Sequence, residues 1–198
     1  MDTSQIDLFF KPQKAPIQKI DLDLFGIQDY TLSILREDTL HATVSGNKFR
    51  KLKYNILEAK HLKIDTLLTY GGAFSNHIAA VASIGKHLGF NTVGIIRGEE
   101  WALKLEDSTT LKFAKECGMQ LQCISREQYR NKTEKNFHQN LQKQWGFFYE
   151  IPEGGSNTLA IKGCEEILNE EDGYFDYICC SVGTGGTISG LINCSKPS

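Results

Sequence analysis

The stretch Thr66-Leu67-Leu68-Thr69-Tyr70-Gly71-Gly72-Ala73-Phe74-Ser75-Asn76-His77 decides the fold. Its first five residues are apolar or β-prone, and Gly71-Gly72 breaks them. Ser75 is a good helix cap, and Ile78, Val81, Ala82, Ile84 and Leu88 follow at helical spacing until Gly89. The unit is strand, glycine turn, helix, and it repeats outward in both directions. Upstream, Phe49, Leu52, Ile56, Leu57 and Ala59 predict a helix over 48–61. Downstream, strands are predicted at 92–97, 119–124 and 147–151, with helices at 110–117 and 127–145 between them. Pro152-Glu153-Gly154-Gly155-Ser156-Asn157 then breaks the composition, and a helix is predicted over 159–168. Asp176-Tyr177-Ile178-Cys179-Cys180-Ser181-Val182 reads as a buried parallel strand leading to a helix at Ile188. Strands alternating with helices define an α/β class with a mostly parallel sheet flanked by helices. Nearer the N-terminus, 30–36 alternates as a strand, and the rest of 1–40 reads as a loosely wrapped arm.

The bulk numbers exclude several function classes. A chain of 198 residues can bury roughly 70% of its unfolded surface without staples. Hydrophobic residues make up 40%, charged residues 23%, and net charge is −2, so no strong field favours nucleic acid or a membrane surface. Residues 1–5 lack the basic start of a secretory signal, and no run approaches the ~20 apolar residues of a membrane helix. None of the six cysteines forms a C-x-x-C pair, so neither a zinc site nor any other metal is expected. Cys179 and Cys180 are expected on opposite faces of a buried strand, in a reducing cytoplasm.

Three constellations carry chemistry. Gly183-Thr184-Gly185-Gly186-Thr187 joins a strand to a helix without a basic residue, so its backbone N–H groups would hold an anion. It is neither G-x-G-x-x-G, since Ile188 takes the third glycine's place, nor a P-loop. At the second junction, Ser75 and Asn76 stand where free helix N–H groups can receive a small carboxylate. Ser75 adds a hydroxyl there; His77 alone reads as a packed or exposed histidine, and the junction alone as a simple helix cap. The third constellation is Lys48, in Ser45-Gly46-Asn47-Lys48-Phe49-Arg50-Lys51. Alone, the basic run from Lys48 to Lys53 reads as a solvated face. A nucleophilic lysine needs its amine neutral, and lowering its pKa from ~10.4 to ~7.5 costs ~4 kcal/mol. Burial and neighbouring cations supply such shifts, with Arg50 and Lys51 as candidates. A lysine, a carboxylate-binding helix mouth and a phosphate loop together are what pyridoxal 5′-phosphate requires.

On these four segments (45–51, 71–77, 152–155 and 183–187) the chain resembles the pyridoxal-phosphate enzymes of the tryptophan-synthase-β fold, fold type II. It is most similar to the 1-aminocyclopropane-1-carboxylate deaminase and D-cysteine desulfhydrase group. The resemblance runs from about residue 34 to 191. It implies that Lys48 forms the Schiff base and shuttles the α-proton, and that Asn76 bonds the cofactor's 3′-oxygen. It implies that Ser75, with Asn76 and His77, binds the substrate and that Ser75 assists the chemistry. Gly183, Thr184, Gly185, Gly186 and Thr187 would hold the phosphate. It further implies two open sheets: residues 1–51 and 153–198 belong to a large domain, and 52–152 to a small α/β domain. Such families continue well beyond a position equivalent to Ser198. The large domain is therefore expected to be incomplete, and this chain alone is expected neither to bind the cofactor tightly nor to turn over. The implied substrates are small amino acids, with a lean to D-cysteine carried by Ala73-Phe74-Ser75-Asn76-His77, and a homodimer is expected. Two rivals stay open: a nucleotide-binding α/β module, and a folded remnant without catalysis.

Overall fold

The computed structural model describes residues 3–11 and 14–195. In chain order the elements are α1 (Thr3–Phe9), β1 (Ile17–Ile20), β2 (Leu32–Leu35), α2 (Asn47–His61), β3 (Thr66–Gly71), α3 (Asn76–Leu88) and β4 (Asn91–Arg97). They continue with α4 (Thr109–Glu116), β5 (Gln120–Ile124), α5 (Arg126–Arg130), α6 (Lys135–Trp145), β6 (Tyr149–Ile151), α7 (Thr158–Cys164) and α8 (Gly186–Cys194). Four strands form one parallel sheet in the order β5-β4-β3-β6. The register sets Leu67 beside both Thr92 and Tyr149, and Ile95 beside Gln122.

The sheet is buried on both faces, which is why β3 and β4 spell near-continuous apolar runs. The two-residue period divides them. Leu67 and Ile96 join Ile78, Ile84, Leu111 and Ala114 in a core under α3 and α4. Leu68, Tyr70, Val93 and Ile95 join Tyr129 and Leu141 under α5 and α6. A fully buried isoleucine such as Ile95 contributes about 1.5–3 kcal/mol by its transfer from water.

The remaining helices form a second layer. α2 packs along α7, and α7 against α8. Asn55, fully buried in α2, ties three elements together. Its amide nitrogen donates to the Lys51 carbonyl (2.8 Å), while its oxygen accepts from Asn157 (2.7 Å) and from the Tyr149 hydroxyl (3.2 Å). Asn157 in turn caps α7 by accepting from the Ala160 N–H at 2.9 Å.

Several expectations meet a different outcome. Of the two sheets anticipated, the described residues form the four-stranded parallel sheet and a two-stranded antiparallel ribbon of β1 and β2, pairing Ile17 with Leu35. Residues 176–182 are not a strand: Tyr177 is 88% and Val182 63% exposed. A strand needs a neighbour for its ladder, and among the described residues none lies alongside. Cys179 is accordingly exposed and Cys180 half-buried, not buried on opposite faces. The helix expected over 127–145 is two. α5 carries a capping box of Ser125 and Gln128, and the chain turns at 131–134 before α6. The helix expected over 159–168 stops at Cys164. No helix among the described residues is long and apolar enough to cross a membrane.

Candidate active site

The loop before α2 is fixed by its own side chains. The His41 Nδ1 accepts from the backbone N–H groups of Thr43 (3.2 Å) and Val44 (3.1 Å), and the Ser45 hydroxyl donates to the Asp38 carbonyl (3.1 Å). Gly46 then turns the chain with φ 63° and ψ −148°, a left-handed value that an L side chain resists. This sets Lys48 in the first turn of α2, half-buried. Its Nζ donates to the Asn47 Oδ1 at 3.0 Å, and the Asn47 amide donates to the Thr187 hydroxyl at 2.7 Å. One chain of contacts thus joins the lysine to the second glycine loop across 140 residues of sequence.

Lys51, one helical turn further on, is 2% exposed. Its ammonium reaches the Gly154 carbonyl (3.2 Å), the Ser156 hydroxyl (3.0 Å) and the Thr184 hydroxyl (3.4 Å). Ser156 and Thr184 are themselves hydrogen-bonded. The glycine loop 183–187 therefore rests on the Glu153–Gly155 turn, with Lys51 between them. A Cβ on Gly186 would stand 3.1 Å from the Lys51 Nζ and 3.0 Å from the Ser156 Oγ, so the loop approaches as closely as glycine allows. Behind it, Gly186 begins α8, whose first-turn N–H groups have no acceptor within the helix.

The electrostatics follow from this burial. The Lys48 amine is held below its ordinary value, chiefly by burial and then by the Lys51 charge. Burial also lowers Lys51. Burial pushes the Cys164 thiol up to about 11. Arg50 takes no part: it is 5% exposed and forms a two-pronged pair with Glu37, both contacts at 2.9 Å. Lys53 pairs with Glu166 at 2.7 Å. The basic run is thus not a solvated face but a row of separately buried or paired cations.

At the first glycine junction, Ser75 is the N-cap of α3, with its Oγ accepting from the Ile78 N–H at 3.4 Å. A Cβ on Gly71 would meet the Ile78 Cγ1 at 2.5 Å and the Ser75 Oγ at 2.8 Å, so this turn requires glycine. Asn76 is exposed at the helix mouth, and His77 is packed at 2% exposure. The Thr69 hydroxyl donates to the Ile151 carbonyl (2.8 Å), so it accepts from the His77 Nε2–H, also 2.8 Å away. His77 is therefore the neutral Nε2–H tautomer. Burial, Lys48 and Lys51, in that order, push its pKa down to about 3.

The structure brings Lys48, Thr184, Gly186 and Thr187 into one connected cluster. Lys51 is there as the neighbouring cation expected to lower the Lys48 pKa, and the structure adds its contact with the glycine loop, together with Asn47 and Ser156, to which the sequence assigned no role. Lys51 had a signal: residues three apart share a helix face, so Lys51 follows Lys48 inward. Gly183 is exposed, and Gly185 (φ 83°) caps α8.

No protein-family model matches the chain. A Thermotoga maritima protein, provisionally named a 1-aminocyclopropane-1-carboxylate deaminase, is 34% identical over 196 residues, covering 94% of this chain and 60% of its own. The Arabidopsis thaliana bifunctional D-cysteine desulfhydrase/1-aminocyclopropane-1-carboxylate deaminase is 35% identical, over 89% of this chain and 48% of its own. A solved structure of an ACC deaminase homologue superposes with TM-score 0.73 at 25% identity, over 94% of this chain and 60% of that one. A pyridoxal 5′-phosphate-dependent aspartate racemase shares the fold with TM-score 0.67 at 17% identity. The fold and these relatives put the chain in the fold type II class of pyridoxal-phosphate proteins. Over the part that it spans, the chain is 34–35% identical to curated relatives named for 1-aminocyclopropane-1-carboxylate deaminase and D-cysteine desulfhydrase. The chain spans 48–60% of the length of these curated relatives.

Proposed function

We propose that this chain carries the lysine and phosphate side of a pyridoxal-phosphate lyase or deaminase acting on a small amino acid. D-cysteine and the cyclopropane amino acid are the two substrate candidates, with the lean to D-cysteine. The observation that carries the reading is the contact chain from Lys48 through Asn47 to Thr187, with Lys51 seated beside the glycine loop. The residues fit the cofactor. Within Gly183–Thr187, Gly186 offers glycine-tight backbone at a helix mouth, and Lys51 offers a fixed positive charge to a phosphate. When bound, the cofactor draws electrons from the amino acid's α-carbon.

The protein's own residues do the rest. Lys48 is the covalent attachment point, and its lowered pKa favours the neutral amine needed to take and return the proton at the substrate α-carbon. Ser75 and Asn76 receive the substrate carboxylate and the cofactor's 3′-oxygen at the mouth of α3. His77 contributes as an uncharged wall that orients the junction from below. For D-cysteine, the products are pyruvate, ammonia and sulfide; for the cyclopropane amino acid, 2-oxobutanoate and ammonia.

The division into 1–51, 52–152 and 153–198 belongs to the same proposal. It is supported by a parallel sheet that falls wholly between 66 and 151. A cytoplasmic setting is supported by six unpaired thiols, and a homodimer by the family resemblance alone.

The test is phosphate dependence. Pyridoxal 5′-phosphate and phosphate-free pyridoxal are titrated separately and followed by their visible absorbance. The phosphorylated form is expected to bind at least roughly tenfold more tightly, and Lys51→Ala to remove most of that margin. Equal binding of the two forms would contradict the placement of the phosphate.

A further inference from the structure

A second feature lies above the carboxyl ends of the sheet, where open α/β folds take ligands. It is a cavity of about 820 Å³ bounded by the Gly72–Ser75 loop. Each neighbouring strand delivers a group to its wall. Gly72 follows β3, Arg97 is the last residue of β4, and Arg126 follows β5, with Arg130 one helical turn beyond. Arg97 lies against the glycine loop, since a Cβ on Gly72 would stand 3.7 Å from its Nη2. Its guanidinium also lies over the Tyr129 ring, 5.8 Å from the centroid, which fixes its direction. Trp101 closes one side, edge-on to Phe74 at 5.3 Å.

The charges do not cancel. Arg126 is paired with Glu100 at 2.5 Å, and Glu153, the cavity's own carboxylate, is 3.3 Å from Lys132. Arg97 and Arg130 have no carboxylate within ion-pair distance among the described residues. A guanidinium is a planar fork that matches an oxyanion in two-pronged fashion, and two of them converge here beside an indole. We propose that this cavity is a binding site for a small molecule bearing a carboxylate or similar oxyanion, held by Arg97 and Arg130 with Trp101 against its apolar part. Its Ser75 wall is shared with the proposed substrate mouth, so the proposal rests on that reading at this one wall, while none of its lining residues contacts the Lys48 amine.

Succinate is the probe, titrated calorimetrically into the protein at low ionic strength. Saturable binding is expected. Arg97→Gln and Arg130→Gln should each weaken it roughly tenfold, as loss of a charged hydrogen bond does. Arg126→Gln should weaken it less, because Glu100 already neutralises that side chain. Circular dichroism checks that each variant is folded, and added salt should weaken binding in the unaltered protein. No saturable heat, or binding indifferent to both Arg97→Gln and Arg130→Gln, overturns the proposal. A second arm separates two sources of the oxyanion, both within the proposal. Succinate displaced by D-cysteine in the presence of pyridoxal phosphate marks the substrate's own carboxylate. Succinate retained alongside the amino acid marks a separate effector. Failure of the cofactor to attach at Lys48 would leave the succinate titration unchanged, so the two readings fail separately.

Discussion

Lys48 and Lys51 share a helix face but differ in company. Lys51 has three oxygens within reach, one for each of its N–H groups, whereas among the described residues Lys48 has the single Asn47 oxygen. Burial of an ammonium is tolerated where its donors are satisfied, so Lys51 suits a permanent charge and Lys48 a group that gives its proton up. Around them His77 is kept neutral, and this has a consequence for stability. Its pKa of about 3 in the folded protein lies below the ordinary 6.5. Between those values the unfolded chain takes up a proton that the folded one refuses, so stability is present above pH 6.5 and falls as pH drops towards 3. By pH 4.5 this one residue should account for a loss of about 2–3 kcal/mol. Urea unfolding of the unaltered protein and of His77→Gln at pH 7.5 and 4.5 measures it. The variant should lose less on acidification, and equal losses would remove His77 as the cause.

The helices that carry the site stand close because two glycines permit it. A Cβ on Gly163 of α7 would lie 2.0 Å from the Arg50 carbonyl oxygen of α2, and one on Gly190 of α8 would lie 2.4 Å from the Cys164 Cβ of α7. This stacking brings the lysine helix to the glycine loop. Gly163→Ala should therefore cost about 1–3 kcal/mol in chemical unfolding and weaken pyridoxal-phosphate binding together. Unchanged stability would mean that α2 and α7 slide apart freely. Element by element, the sequence was legible where the cue is local. Ser75 caps α3, Gly89 ends it with φ 70°, and the αβ alternation from 47 to 151 needs no distant partner to be read. It was not legible where the outcome depends on a partner. The 176–182 run has the spelling of a buried strand, but spelling supplies no neighbouring strand to pair with. The break at 131–134 was missed because its polar residues fit an exposed helix as well as a turn; Ser125 and Gln128 were the available sign.

At the scale of the molecule, every group discussed lies on one side of the sheet. β3, β4, β5 and β6 run parallel, so the Gly71 turn, Arg97, Arg126 and the Glu153–Gly155 turn all emerge at the same edge, and α8 is brought there by α7. That common edge, not any single motif, makes the site. The sequence showed the parallel strands and hence the existence of such an edge. The three-residue spacing could place Lys51 on the face of Lys48, but it could not show which oxygens hold Lys51 or that Arg50 turns away to Glu37. The most direct measurement is borohydride reduction of the protein in the presence of pyridoxal phosphate, followed by peptide mapping. A reduced adduct is expected on Lys48 ahead of exposed lysines such as Lys63 and Lys104. An adduct spread over the exposed lysines, with Lys48 unmodified in a folded chain, would contradict it.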